Sequence, residues 1–190
     1  MLSLQAGRRP VILTERRDHL EYFRTRLEKF TRHLVVLYGG MNTTERRTAE
    51  EGLKRPDTEE RLVLATGRYL GEGFDDASLD TLFLTMPISW RGTLAQYVGR
   101  LHREHHAKRE VVVYDYVDSG VPMLARMALK RQSGYRGLGY EVTTKWRVNF
   151  SSRVRKYSRW SRRSVKITGR RPACRLSITS SKIKSLRSSS

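Results

Sequence analysis

Five short apolar runs, separated by charged segments, constrain the fold of this 190-residue chain more than any other feature of its sequence. Each run is three or four residues long and apolar throughout, which is typical of a strand covered on both faces in a parallel sheet. We therefore expect five strands of a mostly parallel sheet. The runs are Val11–Leu13, Leu34–Leu37, Leu62–Ala65, Leu82–Leu84 and Val111–Tyr114.

Three of the four segments between these runs, and the segment after the last run, have the features of helices, whereas the glycine-rich segment between the third and fourth runs is too short for a full crossover helix. The first carries apolar residues at helical spacing, and Asn42 and the threonines after it provide N-caps for the second. Strands that alternate with helices on short connections predict an α/β domain with an open, mostly parallel sheet. The predicted helices are Glu15–Phe30, Glu45–Leu53, Trp90–Arg103 and Val121–Arg131.

Polar residues and glycines follow several of the predicted strands directly. Thr14 ends the first strand, Gly39 follows the second, and the segment from Thr66 to Asp75 follows the third. Ligands of open α/β sheets bind beyond the carboxyl ends of the strands. We therefore expect these residues, with the approach to Trp90, to lie at one edge of the sheet.

Residues 144–190 differ sharply in composition from residues 1–143. They carry 15 Lys and Arg, 12 Ser and no Asp or Glu, whereas residues 1–143 carry 23 basic and 19 acidic residues. Such a sequence cannot bury enough apolar surface to fold alone. We expect a folded domain over residues 1–143 and a basic Ser/Arg-rich tail over residues 144–190 that is disordered, or ordered only on a partner.

Two interpretations of the tail stay open. Aromatic residues among its arginines could stack on nucleic-acid bases. Alternatively, the loss of every acidic residue is typical of a chain end that no longer encodes the original domain, for example after a frame change, in which case the tail is not native. The aromatic residues in question are Trp146, Phe150, Tyr157 and Trp160.

The formal net charge of +19 predicts a polyanionic partner, and a nearly balanced body with a basic end is common in proteins that bind nucleic acid, although a basic end also suits an anionic membrane surface. No apolar run approaches the roughly 18 residues that span a bilayer, so we expect a cytoplasmic protein with no membrane partner. Cys174 is the only cysteine, which excludes an intrachain disulfide. The histidines at 102, 105 and 106 lack the further ligands of a zinc site, so we predict no metal site.

The stretch from Gln96 to Arg103 is the strongest candidate site. In a helix, Gln96, Arg100 and Arg103 lie on one face, while Tyr97, Val98 and Leu101 point elsewhere and can bury the helix against a sheet. Two parallel guanidinium groups suit a triphosphate. The alternative is a solvated basic face in which Arg100 pairs with Glu104.

Residues about 8–135 resemble the second RecA-like domain, the C-terminal helicase domain, of superfamily 2 helicases. The resemblance is greatest to DEAD/DEAH-like proteins related to type III restriction subunits. Tyr97 stands where many DEAD-box proteins carry arginine, which favours that branch and DNA over RNA. The segments that carry the resemblance are Gln96-x-x-Gly99-Arg100-x-x-Arg103 for motif VI, Ala65-Thr66-Gly67 with Gly71–Asp75 for motif V, Val11–Thr14 for motif IV, and Tyr38–Met41 with Glu45 and Arg46 for the segment after it.

The resemblance implies roles for individual residues. Arg100 and Arg103 would be the catalytic arginine fingers that stabilise charge on the γ-phosphoryl group of ATP. Gly73, Asp75 and Gln96 would contact the nucleotide, although Asp75 and Asp76 could instead form a turn. Positions that would hold phosphates of the nucleic-acid strand are Thr14, Gly39, Thr66 and Gly67.

The sequence contains neither G-x-x-x-x-G-K-[ST] nor a D-E-x-[HD] acid pair. The resemblance therefore implies that ATP and Mg²⁺ are held mainly by a Walker-motif first RecA-like domain, in cis or in trans. We expect this chain to be the second half of an ATP-dependent helicase or translocase, inactive as an ATPase alone. The alternative function is a non-enzymatic, basic nucleic-acid-binding module on a RecA-like scaffold.

Overall fold

The computed structural model describes residues 2–56, 58–67, 69, 76–88, 94–118, 121–146 and 162–170. The strands in chain order are β1 (Pro10–Thr14), β2 (Leu34–Leu37), β3 (Leu62–Thr66), β4 (Thr81–Leu84), β5 (Glu110–Asp118), β6 (Glu141–Trp146) and β7 (Arg162–Arg170). The helices are α1 (Leu2–Gln5), α2 (Arg17–Leu27), α3 (Thr43–Leu53), α4 (Ala95–Leu101) and α5 (Pro122–Gly137).

The strands form one sheet in the order β2-β3-β1-β4-β5-β7-β6. The first five strands of this order are parallel, with Thr14 opposite Thr66 and Leu13 opposite Leu84 across the central pairings. This confirms the predicted open, mostly parallel RecA-like sheet. β7 pairs antiparallel with β5, and β6 pairs antiparallel with β7.

The core lies where helices cover the parallel strands. Every residue of β3 is buried, as expected for an inner strand with neighbours on both sides. Leu13, Leu64 and Leu82 have no exposed surface, and Leu20 of α2 is equally buried against them. Burial of continuous apolar runs is the main stabilising contribution to this layer arrangement.

Several predicted helix boundaries need correction, among them the ends of α2 and α5. α2 ends at Leu27, so Phe30 lies beyond the helix and is 59% exposed instead of extending its apolar face. α5 continues past Arg131 to Gly137 because Tyr135 is also buried against the sheet. Among the described residues, no helix is long and apolar enough to cross a membrane.

The start of α3 confirms the predicted N-cap. The Asn42 side chain accepts a hydrogen bond from the Glu45 backbone N–H at 2.8 Å, and the Glu45 carboxylate accepts one from the Asn42 N–H at 2.9 Å. This reciprocal capping box satisfies two backbone donors that the helix itself leaves unpaired. The helix begins two residues earlier than predicted, at Thr43.

The expectation of a structureless tail from residue 144 differs from the structure in two segments. Residues 144–146 complete β6, and residues 162–170 form β7 along the otherwise open side of β5. Val165 and Ile167 alternate with Ser164, Lys166 and Thr168 in this segment. This alternation has the two-residue period of a strand. The sequence analysis nevertheless predicted disorder, because the tail is so rich in basic residues. The remaining tail, residues 147–161 and 171–190, lies outside the described residues.

Candidate functional site

Helix α4 presents the motif VI side chains from a buried anchor. Tyr97, Val98 and Leu101 are at most 3% exposed, which confirms the prediction that they bury this helix. Gln96 is exposed and Arg100 is half-buried on another side of the helix. The buried residues therefore hold the backbone in place while Gln96 and Arg100 remain accessible.

Arg103 lies beyond the end of α4, so the predicted helix to this residue is two residues too long. The His102 and Arg103 N–H groups donate to the carbonyls of Gly99 and Arg100, at 3.1 and 3.2 Å, in a tightened last turn. The exposed Arg103 side chain thus starts from a turn instead of a continuous helical face.

The buried Lys108 side chain caps this helix end. Its Nζ donates to the carbonyl oxygens of Leu101 at 2.8 Å and Arg103 at 3.0 Å. A cation at a helix C-terminus satisfies carbonyls that have no partner in the helix and interacts favourably with the helix dipole. Sequence analysis missed this role, because nothing in the sequence distinguishes Lys108 from a solvated lysine.

Arg100 lies near the amino ends of the strands. It lines a small cavity with residues from the beginnings of β1 and β4 and from the turn before β4. Because α4 runs back across the sheet from the carboxyl ends of the strands, its last turn reaches the amino edge. The other lining residues are Val11, Asp76, Leu79, Leu82, Tyr97 and Leu101.

Asp76 is also at the amino edge. Its carboxylate accepts hydrogen bonds from Arg61 Nη2 at 2.6 Å and from the Ser78 backbone N–H at 2.9 Å, and Arg61 immediately precedes β3. Asp76 therefore lies in a turn, which is the alternative that the sequence analysis left open for it. Gly73 and Asp75 lie outside the described residues.

Asp76 marks where the chain is again described after residue 69, and the expected position of residues 70–75 at the carboxyl edge lies outside the described residues. Thr66 ends β3 at the carboxyl edge, but the chain has returned to the amino edge by Asp76 so that β4 can run parallel to β3's neighbour β1. A parallel connection must cross the sheet in this way.

The carboxyl edge brings together Thr14 and Thr66, which are directly opposite in β1 and β3. Both are buried, and the Thr14 hydroxyl oxygen has no hydrogen-bond partner among the described residues. Gly39 is exposed at the end of β2, where its carbonyl accepts a hydrogen bond from Arg17 Nη1 at 3.2 Å. These three predicted nucleic-acid positions thus lie on neighbouring strands, with Gly39 the most accessible.

Gly67 lies where the end of β3 approaches α4. An added Cβ would be 2.5 Å from Glu15 Oε1, 2.7 Å from Tyr97 Oη and 3.0 Å from Met86 Cε. Only a residue without a side chain allows this close approach. Burial raises the pKa of Tyr97 to about 12, helped by the Glu15 carboxylate and opposed by Arg100, so its hydroxyl stays protonated near neutral pH.

The structure therefore divides the predicted site residues into two groups. Thr14, Gly39, Thr66 and Gly67 lie at the carboxyl edge, whereas Arg100 lies in the last turn of α4 toward the amino edge and Arg103 follows the end of that helix. Tyr97 touches the first group through Gly67 and also lines the cavity beside Arg100. A single side chain thus connects the two groups, a role that sequence analysis did not assign.

The clustered histidines have no metal-ligand geometry. His105 and His106 have ring centroids 4.4 Å apart, and His102 Nε2 lies 2.5 Å from the Tyr140 hydroxyl. In the part of the chain that the structure describes, no three His, Cys, Asp or Glu side chains are arranged to hold a metal ion.

Comparisons with known proteins agree with this architecture. The family described as helicase conserved C-terminal domain matches residues 1–105. Uncharacterized protein 108L of invertebrate iridescent virus 3 is 32% identical over 99 residues, which cover 52% of this chain and 90% of that protein.

Two solved structures share the fold. The C-terminal part of the Fun30 ATPase domain aligns with a TM-score of 0.54 and 12% identity over 66% of this chain and 41% of that chain. The SWI2/SNF2 ATPase core domain of Sulfolobus solfataricus aligns with a TM-score of 0.50 and 19% identity over 68% and 26%. This chain therefore spans less than half of either structure. The family match covers more than half of the sequence, and the chain belongs to the helicase conserved C-terminal domain family.

Proposed function

We propose that this domain is the second half of an ATP-dependent helicase or translocase. In this proposal Arg100 and Arg103 act as arginine fingers on a nucleotide held by a separate Walker-motif domain. The observation that carries the proposal is the construction of α4: its buried face anchors the helix, Lys108 fixes its end, and Arg100 remains accessible at the amino edge.

Preorganisation is what such a role requires. A guanidinium group stabilises charge that develops on a transferring phosphoryl group only if it is held in position before the reaction. The backbone carbonyl of Arg103 is fixed by Lys108, and the Arg100 side chain is half-buried beside the cavity. Gln96, exposed on the same helix, would position the nucleotide or the attacking water. Arginine fingers contribute about a thousandfold or more in related phosphoryl transfers.

The side chains of Arg100 and Arg103 suit the phosphates of ATP but not its Mg²⁺ ion. Two arginines supply hydrogen-bond donors and positive charge, which match phosphate oxygens. Mg²⁺ prefers carboxylate and phosphate oxygens, and the described residues contain no three-group cluster for it. ATP and Mg²⁺ would accordingly be held mainly by the partner domain, with Gly73 and Asp75 of this chain proposed to contact the nucleotide sugar.

The carboxyl edge is proposed to hold the backbone of a nucleic-acid strand. Gly39 is exposed there, and Thr66 and Gly67 end the neighbouring strand β3. Contacts of this kind hold phosphates without reading base sequence. Because the Thr14 hydroxyl is buried, its contribution would be to support this edge and not to form an exposed contact. We propose DNA as the nucleic acid.

Separation of the two groups supports a motor more than a simple binding module. If nucleic acid binds at the carboxyl edge and nucleotide at the amino edge, one domain can respond to both ligands without their competing for the same surface. The contact between Gly67 and Tyr97 offers a physical connection between the two. In a non-enzymatic binding module, no residue would need to be held at the amino edge.

The test is a fusion in which a Walker-motif first RecA-like domain of a superfamily 2 helicase precedes the full chain. We expect nucleic-acid-stimulated ATP hydrolysis that Arg100→Ala abolishes while DNA binding remains nearly intact. Arg47→Ala is the matched control, because Arg47 is an exposed helical arginine on α3. If Arg100→Ala instead removes DNA binding, the binding-module alternative gains support.

A further inference from the structure

Helix α5 and the turn after it contact the chain that precedes α4 and the residue that follows the end of α4. Arg131 Nη1 donates to the carbonyl of Ile88 at 2.7 Å, on the chain that leads from β4 toward α4. Tyr140 Oη lies 2.5 Å from Nε2 of His102, the residue that ends α4. Arg131 and Tyr140 both lie beyond residue 105, where the family match ends.

The position of Arg131 is fixed by the sheet. Its side chain is 2% exposed and forms a bidentate pair with Asp115 of β5, from Nε at 2.7 Å and from Nη2 at 2.9 Å. Two parallel hydrogen bonds set the plane of the guanidinium group. The remaining nitrogen, Nη1, is therefore aimed at Ile88 by an interaction that lies outside motif VI.

Tyr140 is held equally firmly. Gly139, at φ +82°, ends the helix, and the Tyr140 N–H donates to the Tyr135 carbonyl at 3.0 Å. The Tyr140 ring is 4% exposed and meets the Tyr135 ring edge-on at 6.1 Å. Burial raises the pKa of Tyr140, so its hydroxyl keeps its proton near neutral pH and forms a hydrogen bond with His102 Nε2.

We infer that Arg131 and Tyr140 are positioning residues: Arg131 holds the chain before α4 at Ile88, Tyr140 holds the end of α4 at His102, and together they fix Arg100 and Arg103. α4 has only seven residues, too few to be stable without tertiary contacts. Arg103 lies outside the helix and depends on the turn at His102, which Tyr140 contacts. The consequence for catalysis rests on the proposed arginine-finger function. The structural role of the Arg131 and Tyr140 contacts does not.

The contact between Tyr140 and His102 is tested in the full chain without nucleotide. Tyr140→Phe removes one hydroxyl and keeps the buried ring, so the domain should still fold. We expect backbone amide hydrogen exchange at residues 100–103 to become about fivefold faster, the factor for losing one net hydrogen bond, with exchange in β1 and β3 unchanged. Tyr22→Phe is the control, because Tyr22 is 55% exposed on α2. Unchanged exchange at residues 100–103 overturns the inference.

A second measurement separates this inference from the proposed function. In the fusion with the Walker-motif domain, Tyr140→Phe should lower kcat severalfold with little change in the KM for ATP, because the hydroxyl touches no ligand. If Arg100→Ala leaves ATP hydrolysis intact, the arginine-finger function fails whatever Tyr140 does. If Arg100→Ala abolishes hydrolysis but Tyr140→Phe leaves kcat unchanged, the positioning role alone is contradicted.

Discussion

Gly67 lies directly against the Tyr97 hydroxyl, because the chain at the end of β3 has no side chain at the point that Tyr97 reaches from α4. We predict that Gly67→Ala lowers the free energy of unfolding by about 1–3 kcal/mol, the usual cost of overpacking a filled site. Denaturant titration of the full chain measures this loss.

Gly99→Ala is the matched control for that substitution. No atom lies within 4 Å of a Cβ added at Gly99, and this residue is exposed within α4. Alanine is the better helix former, so we expect Gly99→Ala to be neutral or to stabilise by up to about 1 kcal/mol. Equal losses for the two variants would show that Gly67 does not mark a special contact.

The buried pair of Asp115 and Arg131 should be essential to stability. We predict that Arg131→Met lowers the free energy of unfolding by about 3–5 kcal/mol at pH 7, because it leaves a buried carboxylate without its counter-ion. Methionine roughly keeps the length of the arginine side chain, so the loss of unfolding free energy reports mainly the missing positive charge. Denaturant titration measures it.

The same variant should have a characteristic pH dependence. Burial raises the pKa of Asp115, and Arg131 opposes this rise, so removing Arg131 raises the pKa in the folded state further. The folded variant then binds a proton that the unfolded chain has lost, and its stability falls as pH rises above about 4, the unfolded value. We expect a smaller deficit at pH 5 than at pH 7. A deficit that is the same at both pH values contradicts the assignment, and Asp115→Asn combined with Arg131→Met should remove the pH dependence.

The basic end of the chain should contribute to DNA binding through charge. Ending the chain after residue 170 removes five Lys and Arg and leaves β7 complete. For each phosphate that these side chains neutralise, the truncation should make the slope of log affinity against log salt shallower by about 0.9 on duplex DNA. Fluorescence anisotropy at several salt concentrations measures the slope, and an unchanged slope would exclude a binding role for residues 171–190.

The parallel part of the fold could be predicted from sequence because each strand there is a continuous apolar run. Val111–Tyr114 is an example, and it lies within β5 as expected. β7 has only two apolar residues, Val165 and Ile167, among basic and polar ones, so local hydrophobicity does not identify it. Its strand conformation is supported by antiparallel pairing with β5, a long-range interaction that no sequence window contains.

The site could be predicted only in part for a similar reason. Arg100 and its buried neighbours follow from helical spacing, whereas Lys108, Arg131 and Tyr140 act through contacts with distant backbone or side-chain atoms. Lysine, arginine and tyrosine are ordinary surface residues in most sequences. Only the packed structure shows that these three are buried and that they contact the end of α4 or the chain that precedes it.

The central claim is that Arg100 and Arg103 complete an ATP site whose other half lies on a Walker-motif domain. The most direct measurement is nucleic-acid-stimulated ATP hydrolysis by the full chain alone, by the fusion with the Walker-motif domain, and by its Arg100→Ala and Arg103→Ala variants. The account predicts negligible turnover by the chain alone, turnover by the fusion, and a loss of about a thousandfold or more in each variant. Robust hydrolysis by the chain alone, or by a fusion that lacks both arginines, would contradict it.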